Sequence, residues 1–125
     1  MYVKIGNIKI ENPVFAITEE EQKNGLMYCS FPPPVMVFPY KTAEKRNFWM
    51  KNVAYPLDII FCKNGKVLYI GVGKPYIENE FIRTDKPCDL VIEAPGGFCA
   101  YNQIKIGDNI KVKYNNDVLK KLLTQ

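Results

Sequence analysis

Lys51 and Asp58 are the residues whose types and spacing first suggest chemistry. Both lie within residues 47–61, an otherwise largely apolar stretch that also holds the sole tryptophan, Trp49. Charges placed among large hydrophobes need partners, because unpaired burial is costly. With Pro56 as a bend between two short strands, Lys51 and Asp58 are expected to meet. Lys51 then either holds an anionic group on a polar pocket floor or forms an ion pair that fixes strand register. Buried charges are more often paired for structural reasons, which favours the ion pair. Asn52 belongs to the same cluster.

Three further sets have chemistry-bearing side chains. Trp49, Tyr55, Tyr76 and Tyr101, with nearby lysines, could stack bases or sugars. Aromatics carry most of the buried area of a small core, so a core tryptophan with tyrosines at a rim is the simpler reading. Met27, Met36 and Met50, with Cys29 near the first, offer soft ligands that would suit Cu(I). Methionine fills irregular cores so often that packing is preferred, and no metal or other cofactor is expected. Asp58, Glu93 and Asp108 are the acidic set for general acid–base work. Nothing in their spacing makes any two converge, and Asp108 after Gly107 reads as a turn residue. Gly96-Gly97 before a short helix is a weak anion-binding signal.

Composition narrows the classes. There is no histidine among the 125 residues. That removes Ser-His-Asp triads, Cys-His pairs and histidine metal sites. The four cysteines, Cys29, Cys62, Cys88 and Cys99, form no Cys-x-x-Cys unit, so structural zinc and dithiol redox chemistry lack support. Reduced thiols, no export signal and no long apolar run lead to the expectation of a cytoplasmic protein without a membrane span. A net charge of +4 permits contact with nucleic acid without requiring it.

The elements that must position these residues are short. Residues 2–10 read as a hairpin about Gly6-Asn7, and Asn64-Gly65 marks a second hairpin between apolar runs. Thr18 with Glu21 forms a capping box opening a helix that ends at Gly25. Residues 47–61 are expected to supply two strands, with Leu57, Ile59 and Phe61 facing one way and Asp58, Ile60 and Cys62 the other. Val35 to Phe38 is a strand, followed by a polar loop over residues 39–46. Residues 67–72 read as a strand buried on both faces. Residues 73–87 read as a long loop, residues 89–94 and 109–114 as strands, and residues 117–123 as a final helix. One domain of seven or eight strands with two or three brief helices predicts a mainly β fold: a small antiparallel β-barrel or strongly coiled sheet.

Several of these segments resemble one known family. Phe48-Trp49-Met50-Lys51-Asn52, then Pro56-Leu57-Asp58-Ile59-Ile60-Phe61, is similar to the central signature of domain-of-unknown-function family 192. Gly25-Leu26-Met27, Met36 before Phe38, Val91-Ile92-Glu93 and Gly107-Asp108 match its other motifs, over roughly residues 12–114. Departures are visible: Tyr28 and Cys29 stand where the family commonly has an arginine, Val35 replaces a glycine, and Val53 replaces a threonine. The resemblance implies a compact β-rich fold and no established activity. Several members of the family carry export signals, which this chain is expected to lack.

The leading expectation is a non-enzymatic binding module for a small ligand. Its pocket lies at Trp49, Lys51, Asn52 and Asp58, with Met27, Met36 and Met50 contributing an apolar wall. A single-stranded nucleic-acid-binding protein is the alternative, and a hydrolase using paired carboxylates ranks last.

Overall fold

The computed structural model describes residues 1–125. Ten strands and three short helices follow in the order β1 (Tyr2–Ile5), β2 (Ile8–Glu11), β3 (Val14–Phe15), α1 (Glu19–Asn24), β4 (Met36–Glu44), β5 (Asn47–Phe48), β6 (Leu57–Lys63), β7 (Lys66–Gly73), β8 (Ile82–Arg83), β9 (Cys88–Pro95), α2 (Phe98–Tyr101), β10 (Ile110–Lys113) and α3 (Asn116–Leu123).

The strands form open sheets, which corrects the closed barrel. A five-stranded sheet has the order β3-β4-β9-β6-β7, a three-stranded sheet the order β10-β1-β2, and β5 pairs with β8. A barrel requires the two edge strands to pair with each other. Here β3 is only two residues long and runs parallel to β4, while the outer side of β7 meets only an isolated bridge, Lys66 to Asn109, at its first residues. A coiled sheet remains compatible with this arrangement.

Alternation along the central strands splits the core in two. On one face Leu57, Ile59 and Phe61 of β6 join Val91 of β9 and Met36 and Phe38 of β4. On the other, Ile60 and Cys62 join Leu90, Ile92 and Val37. The second face is covered by the three-stranded sheet, whose Val3, Ile5 and Ile110 share that cluster. The first face is covered by residues 16–26 and 48–55, through Ala16, Leu26, Phe48, Met50 and Val53.

Local rules explain the element ends. The capping box forms as expected: Glu21 N donates to Thr18 Oγ1, and Thr18 N donates to Glu21 Oε1. Asn64 and Gly65 both have positive φ, 51° and 74°, as a two-residue hairpin turn of the primed kind needs.

Three expectations fail. Only residues 57–63 of the central stretch form a long strand; Asn52 at φ 58° turns the chain, and residues 49–56 lie outside any strand. Residues 39–44 continue β4 rather than looping. Strand β7 alternates between buried and exposed residues, as suits an edge, instead of being buried on both sides.

Candidate functional site

Register decides where the acidic residues point. Strands β6 and β9 pair antiparallel, with Ile59 opposite Glu93 and Asp58 opposite Ala94. Cross-strand partners share a face, and neighbours along a strand point oppositely. Asp58 and Glu93 therefore lie on opposite faces of the sheet. Both are buried, at 5% and 4% exposure. Asp108 belongs elsewhere, in a turn where its Oδ2 accepts from Lys105 N at 2.9 Å. The three carboxylates do not converge.

Asp58 does not meet Lys51. Its Oδ1 accepts from Gly97 N at 3.3 Å and its Oδ2 from Cys99 N at 2.9 Å. It thus caps α2 from a neighbouring strand, a task Gly97 has no side chain to perform. The physical reason for the missing ion pair is that Asp58 faces the side of the sheet opposite the Lys51 turn and is already satisfied by two amides. Lys51 lies in that turn without an ion-pair partner, its Nζ 5.3 Å from the centroid of the Trp49 ring.

Glu93 presents the opposite situation. No protein group donates a hydrogen bond to its side chain, and burial pushes its carboxyl up from 4.5 to about 8. It lies at a narrow slot of about 20 Å³, lined also by Gly25, Met27, Phe48, Trp49 and Lys51. A volume of that order holds about one water molecule. Gly25 brings the end of α1 close: a Cβ there would lie 3.4 Å from Glu93 Oε1, and its φ is +49°. Asn52 supports the rim, its carbonyl accepting from Tyr28 N at 2.9 Å and its side-chain amide lying 4.0 Å from Met27 Sδ.

A wider recess of about 340 Å³ shares Gln22, Phe48 and Trp49 with the slot. Its other walls include Lys23, Arg46, Tyr40 and Phe81. Arg46 stacks on Tyr40, its Cζ 3.6 Å from the ring centroid. Its Nη2 donates to Thr42 O at 2.8 Å and its buried Nε has no protein acceptor. Burial raises the Tyr40 phenol well above its usual range, so it stays a neutral hydroxyl.

Of the residues singled out in the sequence, Trp49, Lys51 and Met27 line this slot, and Asn52 braces it. Trp49 is only half-buried and lies at a rim, not in the core. Met36 and Met50 are core residues away from the slot lining. Met50 packs on Gly73, where a Cβ would fall 2.3 Å from its Sδ. Tyr55 donates to Cys29 O at 3.1 Å, whereas Tyr76 and Tyr101 are exposed. The residue that reasoning from sequence missed as the centre of the site is Glu93. Its only signal was a carboxylate inside an apolar strand.

The slot motifs are those of one family. DUF192, an uncharacterized ACR family, matches residues 3–112. The chain belongs to this family. A solved structure from Novosphingobium aromaticivorans DSM 12444, a protein of unknown function, is 29% identical, with a TM-score of 0.81 over 90% of this chain and 84% of that one. A protein from Sinorhizobium meliloti 1021, provisionally described as a transcription regulator, is 22% identical, with a TM-score of 0.76 over 88% of this chain and 91% of that one. No functionally curated protein matches. The DUF192 signature thus contributes Trp49 and Lys51 to the slot wall, and Asp58 to the opposite face of the sheet. No helix is long and apolar enough to cross a membrane.

Proposed function

We propose that this DUF192 protein is a binding module for a small ligand whose tip is a water-sized hydrogen-bond donor, such as a primary ammonium or hydroxyl. The observation that carries the reading is Glu93: a buried carboxyl that no protein group satisfies, at the slot shared with Trp49 and Lys51. The one sealed side-chain atom without a partner is Arg46 Nε, so the Glu93 oxygens open onto the slot, where a carboxyl without a protein donor calls for a partner. A donor entering the slot supplies that partner. An ammonium tip would also draw the carboxyl into its ionised form, because an opposite charge at close range favours it.

The ligand body then occupies the wider recess against Trp49 and Phe48, where Lys23 and Arg46 of the recess and Lys51 of the slot outnumber Glu19, although Arg46 is also paired with Glu44 at 3.4 Å. A zwitterion with its ammonium inward and its carboxylate outward, as in a free amino acid, matches both ends. The slot walls hold no second carboxylate, serine or cysteine beside Glu93.

Trp49, the only tryptophan, makes the test direct. Free amino acids and simple primary amines are titrated while its emission is followed, with melting temperature as a second readout. The expected result is a saturable emission change and a raised melting temperature, both abolished in Glu93→Leu and retained in part in Glu93→Gln. If no amine or amino acid alters either readout, or if Glu93→Leu responds as wild type does, the reading fails.

A further inference from the structure

We propose that the outer face of the β10-β1-β2 sheet is a docking surface for single-stranded nucleic acid, gripped by a row of three lysines. The proposal is independent of the Glu93 slot, which lies on the other side of the five-stranded sheet. Its basis is strand register. Lys4 of β1 stands directly opposite Lys9 of β2 and Lys111 of β10. One step along, Tyr2 stands opposite Glu11 and Lys113. Lys4, Lys9, Lys111 and Lys113 are all exposed, while Val3 and Ile5, on either side of Lys4, point into the core. The outer face therefore carries four lysines against a single glutamate.

Only Lys9 has an ion-pair partner, Glu11 at 3.3 Å, and it also lies 4.4 Å from the Tyr2 ring centroid. Lys4, Lys111 and Lys113 have none. Like charges directly opposite one another weaken a sheet. Three lysines in one cross-strand row form an arrangement that folding alone disfavours and that an anionic chain laid across it would relieve.

The neighbouring surface selects the anion. Where the Gly6-Asn7 turn closes β1 and β2, a polar cleft of about 400 Å³ opens, with Asn7, Asn102, Gln103, Asn109, Lys105 and Asp108 among its walls; Asn109 Oδ1 already accepts from Lys66 Nζ and Asn102 Nδ2 donates to Phe98 O, while the Asp108 carboxylate accepts from Lys105 N. Side-chain amides both donate and accept, as base edges do. Those edges are freely presented by unpaired strands. Tyr2 adds an aromatic face beside the lysine row. An anionic bilayer would have no use for the amide cleft, and the sheet face carries no exposed aliphatic side chain to enter one.

The test uses the full chain and a fluorescent oligothymidylate of about 16 nucleotides, the upper end of the usual single-module site size. Anisotropy is measured between about 50 and 200 mM salt, for wild type and for Lys4→Glu/Lys111→Glu. Binding by three or four lysines gives a slope of log K against log salt of about −2 to −3. The double variant should bind at least tenfold more weakly, with a slope shallower by about 1.4. Its melting temperature should stay close to that of wild type, because the Lys4–Lys9 repulsion becomes an attraction while the Lys4–Lys111 repulsion is replaced by one between two glutamates. That readout separates loss of the surface from loss of the fold. No binding at the lowest salt overturns the proposal, as does equal binding by the double variant. Equally tight binding of a duplex of the same length overturns the single-strand assignment. Capture by phosphatidylglycerol vesicles without oligonucleotide binding replaces it with a lipid surface.

Discussion

Glu93 makes the stability of the protein depend on pH in a defined direction. Its carboxyl is raised from 4.5 to about 8 in the folded chain by burial. The folded state therefore holds a proton that the unfolded state releases across that interval. Stability is highest near or below the unfolded value and falls as pH rises through about 8. The shift corresponds to roughly 4–5 kcal/mol across the interval. Urea unfolding at about pH 5, 7 and 9 should show this decline in wild type, and a much flatter profile in Glu93→Gln. Gly25→Ala tests the neighbouring contact. It imposes a side chain at φ +49° with its Cβ 3.4 Å from Glu93 Oε1. A loss of about 1 kcal/mol or more is expected in denaturant unfolding, together with a weaker ligand response at Trp49. The isolation of Glu93 was not legible in the sequence. It depends on a loop from the end of α1 folding over β9, and no local pattern around Val91-Ile92-Glu93 records what arrives from elsewhere. Lys51 and Trp49 were legible because the signature places them beside each other in the chain.

At the scale of elements, Asp58 ties β6 to α2. A four-residue helix has no internal means of satisfying its first amides, and Gly97 brings no capping side chain. Asp58→Ala removes the acceptor for Gly97 N and Cys99 N and leaves buried donors bare. A cost of about 1–3 kcal/mol is expected, measured by chemical unfolding. Loss of order should centre on residues 97–103, seen as faster amide exchange there. The Cys99 thiol offers a second readout: burial, with the Asp58 carboxylate beside it, pushes it up to about 12. Its reaction with thiol reagents should quicken in the variant. Glu21 works in the opposite pH direction from Glu93. The Lys121 ammonium at 2.7 Å and the Thr18 amide lower its carboxyl from 4.5 to about 2. What it adds is present above the unfolded value and is lost as pH falls through about 2. The pair is solvent-accessible, so the contribution is small. The capping box, the Asn64-Gly65 turn and the alternation along β6 could all be read from sequence, because each is set by residues within a few positions of one another. The supposed strand pair at residues 47–61 could not, because the turn at Asn52 interrupts a run whose alternation reads as continuous.

Across the whole molecule, the two buried carboxylates, two cores and two candidate surfaces are separated by one five-stranded sheet. Most strands were legible as strands, but seven or eight were expected against ten found: β8 lies in residues expected to loop, and β4 runs on through another such stretch. Closure was not, because a barrel and a pair of packed open sheets present the same alternation of residues and differ only in what the edge strands meet. The second face illustrates this: β1, β2 and β10 look like barrel staves in sequence yet pack across the sheet through Val3, Ile5 and Ile110. An open architecture also leaves β7 unpaired on its outer side beyond Val67, whose N–H and carbonyl bond Asp108 and Gly107, and this has a cost outside the folded monomer. Residues 67–73 carry no charge and no proline, and they are rich in β-branched and aromatic side chains. Val72 is 64% exposed there. An unpaired rim of that composition is a template for another chain, and Lys66 is the one cation within the strand to discourage it. Concentrated or warmed solutions should therefore scatter light through rim-to-rim aggregation. Val72→Lys should delay its onset while leaving the unfolding midpoint nearly unchanged. The short bridge from Lys66 to Asn109 covers only the start of that strand, and the adhesive length beyond it is what a second chain would meet first.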